Sequence, residues 1–217
     1  MVSNKSLFLS TPPYISHLLE KYDYPWEILS VLGAYIEELI SFGIEGFSEY
    51  APGVLVGEGV KIAESASITP PAIIGHNTEI RHGAFLRGGV ITGSNCVIGN
   101  STEIKNSVLL DRVQIPHYNY VGDSILGNGA HLGASAILSN LKADGSDVTV
   151  HADIDYKTGR RKLGAILGDG ANVGCGAVLN PGTVICNNSI VYPLVSVRGT
   201  VPPESILKSS DITVKRK

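Results

Sequence analysis

IGHNTEIRHGAFLRGGVITGSNCVIGNSTEI, residues 74–104, sets an aliphatic side chain at nearly every sixth position: Ile74, Ile80, Leu86, Ile98 and Ile104, with Thr92 the exception. A helix would need apolar residues every three or four positions, and an ordinary strand every two. The rhythm runs outward in both directions. It starts at Val56, Ile62 and Ile68 and reaches Leu110. After a one-residue slip it continues at Ile115 and Val121, and after another at Leu126, Leu132 and Leu138. It resumes in a new phase at Leu167, Val173, Leu179, Ile185, Val191 and Val197. A fixed hexapeptide period predicts a mainly β chain wound as a parallel β-helix, six residues to each side of a triangular coil. Each aliphatic then points inward and stacks on an equivalent about 18 residues away, roughly 4.8 Å along the axis. Glycine or asparagine serves the corners, where the backbone needs unusual dihedrals.

Hexapeptide repeats of this kind resemble the left-handed β-helix, an exception to the usual right-handed crossover. Two segments stand outside the repeat. Residues 14–43 read as two helices, with Pro25 in the first turn of the second, an apolar stripe of Ile28, Val31, Leu32, Ile36, Leu39 and Ile40, and Gly43 at its end. They are expected to cap one end of the coils; a partner-binding helix is the alternative. Residues 141–163 are polar, carry turn signals at Ala143-Asp144-Gly145 and Lys157-Thr158-Gly159, and read as a hairpin-like loop expelled from one coil. Its Arg160, Arg161 and Lys162 suggest a function for the loop, against the alternative of a solvated charge run. The expected organisation is a helical cap over 1–50, a β-helix over 51–205 with the loop 141–163 inserted, and a tail over 206–217.

The 217 residues are 43% hydrophobic and 17% charged, which excludes a disordered chain. A net charge of −3 argues against general nucleic-acid binding. No apolar run is long enough to span a membrane, and no signal peptide is recognisable at the start. Cys96, Cys175 and Cys186 show no CxxC spacing and read as free thiols. A soluble cytoplasmic protein is expected. His76 and His82 fall on successive sides of one coil, so no metal site is expected.

Arg87 and Lys105 are one coil apart, and each follows an inward aliphatic, so both point outward from one corner. Two adjacent cations repel unless an anion lies between them, which points to a phosphate or diphosphate, with neutralisation by Glu103 the alternative. In IPHYNYVGDS (residues 115–124) the turn His117-Tyr118-Asn119-Tyr120 interrupts the rhythm and is expected to bulge toward a neighbour. Its imidazole suits chemistry that needs a neutral base near pH 7.

The series Arg87, Lys105, His117-x-x-Tyr120-Val121-Gly122-Asp123 and Asn140 resembles the acetyltransferase half of bifunctional N-acetylglucosamine-1-phosphate uridyltransferases. It is closer still to the similar domain of bifunctional sugar-1-phosphate nucleotidylyltransferases, which share a run like Thr158 to Ala165. The resemblance covers roughly residues 55–200. It implies homotrimers with active sites between subunits, and acetyl transfer from acetyl-CoA to an amino-sugar phosphate such as glucosamine 1-phosphate. Carried over, Arg87 and Lys105 hold substrate phosphate, His117 is the general base, and Tyr120 and His131 face the sugar phosphate. The Ala134 N–H polarises the thioester carbonyl, Asn140 orients substrate or acetyl group, and Cys175 and Pro193 line the acetyl-CoA wall. His131, Leu141, Cys175 and Pro193 depart from the uridyltransferase pattern. No glycine-rich nucleotide loop is present, so no nucleotidyltransferase activity is expected. A nucleotide-linked amino sugar is the alternative acceptor, and a non-catalytic sugar-phosphate-binding or trimerisation module is the alternative to an acyltransferase.

Overall fold

The computed structural model describes residues 2–210 and 212–216. Its main body is a parallel β-helix with three faces. Face one runs from Val54–Gly57 through Ala72–Ile74, Val90–Thr92, Ser107–Leu109, Ile125–Leu126, Ala165–Leu167 and Thr183–Ile185 to Thr200–Val201. Face two runs from Lys61–Ile62 through Gln114–His117 and His131–Leu132 to Ser205–Ser209. Face three runs from Ser67–Ile68 through Phe85–Leu86, Glu103–Lys105, Tyr120–Gly122, Ile137–Leu138 and Val178–Leu179 to Ser196–Val197. The inward side chains form three aliphatic columns. Ile68, Leu86, Ile104, Val121, Leu138, Leu179 and Val197 make that of face three. Each buried aliphatic of this kind contributes roughly 1.5–3 kcal/mol, so a run of such columns holds together strands that are only two or three residues long.

The phase differs from expectation at one place. Leu109, not Leu110, continues the interior column, paired with Thr92 below and Leu126 above. Leu110 is equally buried but faces outward into a second core. The chain drops one residue at the corner between faces three and one, so the slip precedes Leu109. The turn after Ile115 is regular: Ile115 and Val121 are both interior, six residues apart, and no bulge forms. Tyr118 takes the left-handed conformation (φ 52°) that Gly83, Ser101 and Ser135 adopt at the same corner of other coils.

The second core is built on the outer side of face one. Ile73, Ile91, Val108, Ile125, Ile166 and Val184 point away from the coil interior and are covered by the N-terminal helices and the inserted hairpin. The helices therefore lie along a flank, not on the end of the coils as expected. The apolar outer residues of face one leave no other placement that buries them. They are four in number: α1 Asn4–Leu7, α2 Pro13–Glu20, α3 Pro25–Ile28 and α4 Leu32–Phe42. The second predicted helix is thus two, and Gly43 (φ 77°) ends α4, its N–H bonded to Leu39 O.

Phe47–Ala51, all but its last residue assigned by sequence to the cap, forms a strand antiparallel to Val54–Gly57. The strand Ser205–Ser209 adds to face two, so residues 206–209 continue the coil where a tail was expected, and Ile212–Lys215 folds back on them; Asp211 and Lys217 lie outside the described residues. The inserted segment is a hairpin, Val148–His151 against Asp155–Arg160. Its turn is at 152–154, and the Lys157-Thr158-Gly159 signal falls inside the second strand. Tyr156 of the hairpin packs on Tyr24 and Trp26 of the helical layer, with ring centroids 5.0 and 5.5 Å away.

Candidate functional site

Apart from His131, the structure sorts the expected site residues into two groups at opposite ends of face three. At the corner between faces two and three, His117, Ala134, Cys175 and Pro193 occupy one column on successive coils. The stack is tied by backbone bonds one residue later: Ser135 N to His117 O at 3.0 Å, Gly176 N to Ala134 O at 2.8 Å and Leu194 N to Cys175 O at 2.9 Å. His117 and Cys175 are exposed and Ala134 is half-buried. The Ala134 N–H donates no hydrogen bond among the described residues. Asn119, in the middle of the quoted turn, is structural. Its buried amide donates to Gly133 O at 2.8 Å and Ala136 O at 3.2 Å, and its Oδ1 accepts from His117 N.

At the corner between faces three and one, Arg87 and Lys105 stand beside each other in the ladder, as their spacing required. Neither is left unpaired. Arg87 Nη1 meets Glu103 Oε1 at 2.6 Å, which pushes the guanidinium pKa up. Lys105 Nζ lies 3.6 Å from Asp123 Oδ2. Asp123 is almost wholly buried and also accepts from Asn106 Nδ2 at 2.7 Å and from Asn140 Nδ2 at 2.5 Å. Tyr120 and Asn140 side chains meet over Gly122, and burial, then Glu103, raises the Tyr120 phenol pKa while the Asn140 amide lowers it. Gly122 makes this meeting possible: a Cβ there would lie 2.6 Å from both Asn140 Nδ2 and Tyr120 Oη.

Asp123 belongs to the quoted sequence motif, yet its role as the anchor of this corner was not read from it. The inserted hairpin reaches the same place. Leu163 N donates to Asn140 O at 3.0 Å and Gly164 N to Asp123 O at 2.9 Å, which closes the neck of the insertion on the site. Arg160 at the hairpin's end feels the Asp123 carboxylate; its pKa is lowered by burial, against that attraction. A guanidinium still remains charged. His131 lies apart on face two, its Nδ1 3.2 Å from Asn172 Oδ1. Among the described residues, no hydrogen bond or ion pair joins the two corner groups.

Hexapeptide coils stacked into three parallel faces define a β-helix domain. Residues 68–158 match the family described as the GMPPB C-terminal domain. Over 199 residues the chain is 43% identical to the bifunctional protein GlmU of Methanococcus maripaludis, covering 89% of this chain and 48% of that protein. Over 90 residues it is 36% identical to the bifunctional sugar-1-phosphate nucleotidylyltransferase/acetyltransferase of Sulfurisphaera tokodaii, covering 41% of this chain and 21% of that one. The chain thus spans about half the length of the GlmU relatives that it matches over most of its own. Among solved structures, a mutant of AntD, an N-acyltransferase from Bacillus cereus solved with dTDP and coenzyme A, aligns with a TM-score of 0.45 at 21% identity, covering 83% of this chain and 89% of that one. No helix among the described residues is long and apolar enough to cross a membrane.

Proposed function

We propose that the chain is a CoA-dependent N-acetyltransferase acting on an amino-sugar phosphate, with a site completed between subunits. The observation that carries this reading is the division of the site. One end of face three offers a phosphate grip in Arg87 and Lys105. The other offers His117 beside the free Ala134 N–H. A second copy docked along face three brings the His117 column of one chain to the Lys105 corner of the next, and the resemblance implies that three copies close the ring. Face three has the surface for it. Phe85 and Val178 on its strands, and Tyr118 and Leu194 at its corner, are exposed apolar side chains, of the kind that marks an interaction surface when contiguous.

The chemistry follows from these groups. Arg87 and Lys105 exchange their carboxylate partners in part for the substrate phosphate, and Tyr120 and Asn140 orient the sugar. His117 removes a proton from the substrate ammonium, which frees the nitrogen lone pair to attack the thioester carbon. The Ala134 N–H donates to the oxyanion as the C–N bond forms, from a stiff coil that needs no reorganisation. As the C–S bond breaks, His117 returns its proton to the departing thiolate and the acylated nitrogen releases its second proton to water, so that transfer to an ammonium substrate liberates one proton overall. Ala134, Cys175 and Pro193, small side chains in one column, leave room for the thioester arm of acetyl-CoA along that corner.

The test is thiol release from acetyl-CoA in the presence of glucosamine 1-phosphate. The His117→Ala variant should lose about 10²–10⁴-fold in rate while its melting temperature stays at the wild-type value, because the ring is exposed. Phosphate binding without any acceptor-dependent release would favour the non-catalytic module.

A further inference from the structure

The two ends of the β-helix are finished differently. At the N-terminal end the first aliphatics of the interior columns, Val56, Val60, Ile62, Ala66 and Ile68, are only half-buried. One coil further on, Ile74, Ile80 and Leu86 are 1% exposed or less. At the C-terminal end Val195, Val197, Val201 and Leu207 are sealed to 7% or less. The first coil sends its bonds to the second from Lys61, Ala63, Ser67 and Thr69. Successive residues of a strand alternate in the direction of their N–H and C=O, so Ile62 and Ile68 turn theirs to the open end. Among the described residues no strand pairs with them there. An apolar end with free strand edges is a surface primed for association.

Charge divides the same way. The first coil and the strand Phe47–Ala51 carry Glu49, Glu58 and Glu64 against Lys61. The last coil and the strand that folds back on it carry Lys208, Lys215 and Arg216 against Glu204. All of these side chains are exposed, and Glu58, Glu64, Lys208 and Lys215 have no ion pair or side-chain hydrogen bond among the described residues. The ladder of face two sets the opposite signs over one another. The column that begins at Lys61 runs up the face to Ile206, on which Val214 is paired. Lys215, paired with Ser205, therefore stands over Val60, two residues from Glu58. Lys208 follows Leu207, whose column begins at Ile62, and so stands over Ala63, beside Glu64.

We propose that copies of this chain dock head to tail, the C-terminal end of one on the N-terminal end of the next, with the coil axis continued. On face three, Ser196–Val197 of one copy then lies beside Ser67–Ile68 of the next, which are the two free edges of one parallel sheet. On face two, Ile212–Lys215 lies against Lys61–Ile62, with Lys215 toward Glu58 and Lys208 toward Glu64. The contact covers the half-buried aliphatics of the open end. Two N-terminal ends would instead set Glu58 and Glu64 against their own copies, so charge selects the unlike ends. A second copy is favoured over a different partner because both complementary surfaces lie on one chain. A head-to-tail contact repeated along one axis does not close, so it propagates as a rod. This assembly rests neither on the acyltransferase reading nor on how many copies stand side by side.

Light scattering and negative-stain electron microscopy of the full chain, in about 0.05 M and about 0.5 M sodium chloride, test it. In low salt the mass should rise with protein concentration, and rods should appear. Their axial repeat should be about 43 Å, nine spacings of about 4.8 Å for the nine-stranded sheets. In high salt the mass should fall to a single unit. Glu58→Lys with Glu64→Lys reverses one end, and Lys208→Glu with Lys215→Glu the other, all at exposed positions. Each pair should abolish the rods with the melting temperature unchanged. All four substitutions in one chain exchange the two signs and should restore the rods. Association that survives Lys208→Glu with Lys215→Glu would mean that N-terminal ends meet each other, and overturns the head-to-tail stack. One mass at every concentration and salt would also overturn it and leave the open end to a different partner. A fourfold variant that stays unassembled would overturn the pairing of Glu58 and Glu64 with Lys215 and Lys208.

Discussion

Asn140 Nδ2 donates to Asp123 Oδ2 at 2.5 Å, so the residue at which the chain leaves the coil for the hairpin is tied to the carboxylate that faces Lys105. One buried group thereby anchors the insertion and balances a cation of the candidate phosphate grip. Asp123 also adopts φ 48°, a conformation that aspartate and asparagine tolerate better than other side chains.

Asp123→Ala therefore loses three partners and gains backbone strain. Two amides and an ammonium lose their acceptor, and alanine is disfavoured at that φ, so a loss of about 3–5 kcal/mol is expected. Lys105 is partly exposed, which keeps the ion-pair share small. Asp123→Asn keeps the shape, the backbone preference and one acceptor, and should cost about 1–2 kcal/mol. Urea unfolding of the two variants checks the order. Equal midpoints for Asp123→Ala and wild type would show that the carboxylate is not the anchor.

Glu103→Gln should act in the opposite sense on ligand binding. Glu103 occupies Arg87 at 2.6 Å, and both side chains are well exposed. Removing its charge releases the guanidinium without emptying a buried site, so the melting temperature should hold. Phosphate affinity, measured with glucosamine 1-phosphate, should rise, and the gain should shrink as salt is added. An affinity that falls would mean that Glu103 positions Arg87 rather than competing for it.

Gly122→Ala tests whether the Tyr120–Asn140 contact matters. The added methyl would sit 2.6 Å from both polar atoms, so one of them must move. Overpacking of this kind typically costs about 1–3 kcal/mol. Transfer activity should fall by more than the stability loss accounts for at a temperature where the variant is fully folded. Unchanged activity there would remove Asn140 and Tyr120 from the reaction.

The hexapeptide rhythm made the β-helix legible because inward aliphatics recur wherever a coil side is six residues long. It could not choose between Leu109 and Leu110, since both are aliphatic and both are fully buried, one inside the coil and one under the helices. The helical flank did leave a trace. Strands of face one such as Ala72–Ile74 and Thr183–Ile185 are buried on both sides, and their outer apolar residues, Ile73 and Val184, mark the surface that the helices and hairpin cover. Spacing placed Arg87 beside Lys105, because a ladder converts sequence distance into position; the column that joins His117 to Ala134, Cys175 and Pro193 was not read from spacing, since the insertion separates Ala134 from Cys175 by more than one coil of sequence. The closing of the hairpin neck on Asp123 was not legible, since that contact depends on where an aperiodic insertion folds back, which no period encodes.

The cysteines offer a readout of the acyl-donor corner. Cys96 is buried in the interior, its thiol donating to Leu110 O at 3.1 Å, and burial pushes its pKa up to about 12. Burial also raises that of Cys186. Only thiolates react appreciably with a chromogenic disulfide, so near pH 8 both should be silent in the folded protein. Cys175 is exposed in the column of His117 and Ala134. One thiol should therefore titrate quickly in the native protein, and three after denaturation. Cys175→Ser should abolish the fast phase. If this column carries the thioester arm, acetyl-CoA, which has no free thiol, should slow the fast phase in proportion to its occupancy, while glucosamine 1-phosphate alone should not. A fast phase indifferent to saturating acetyl-CoA would place the acyl donor elsewhere on the β-helix.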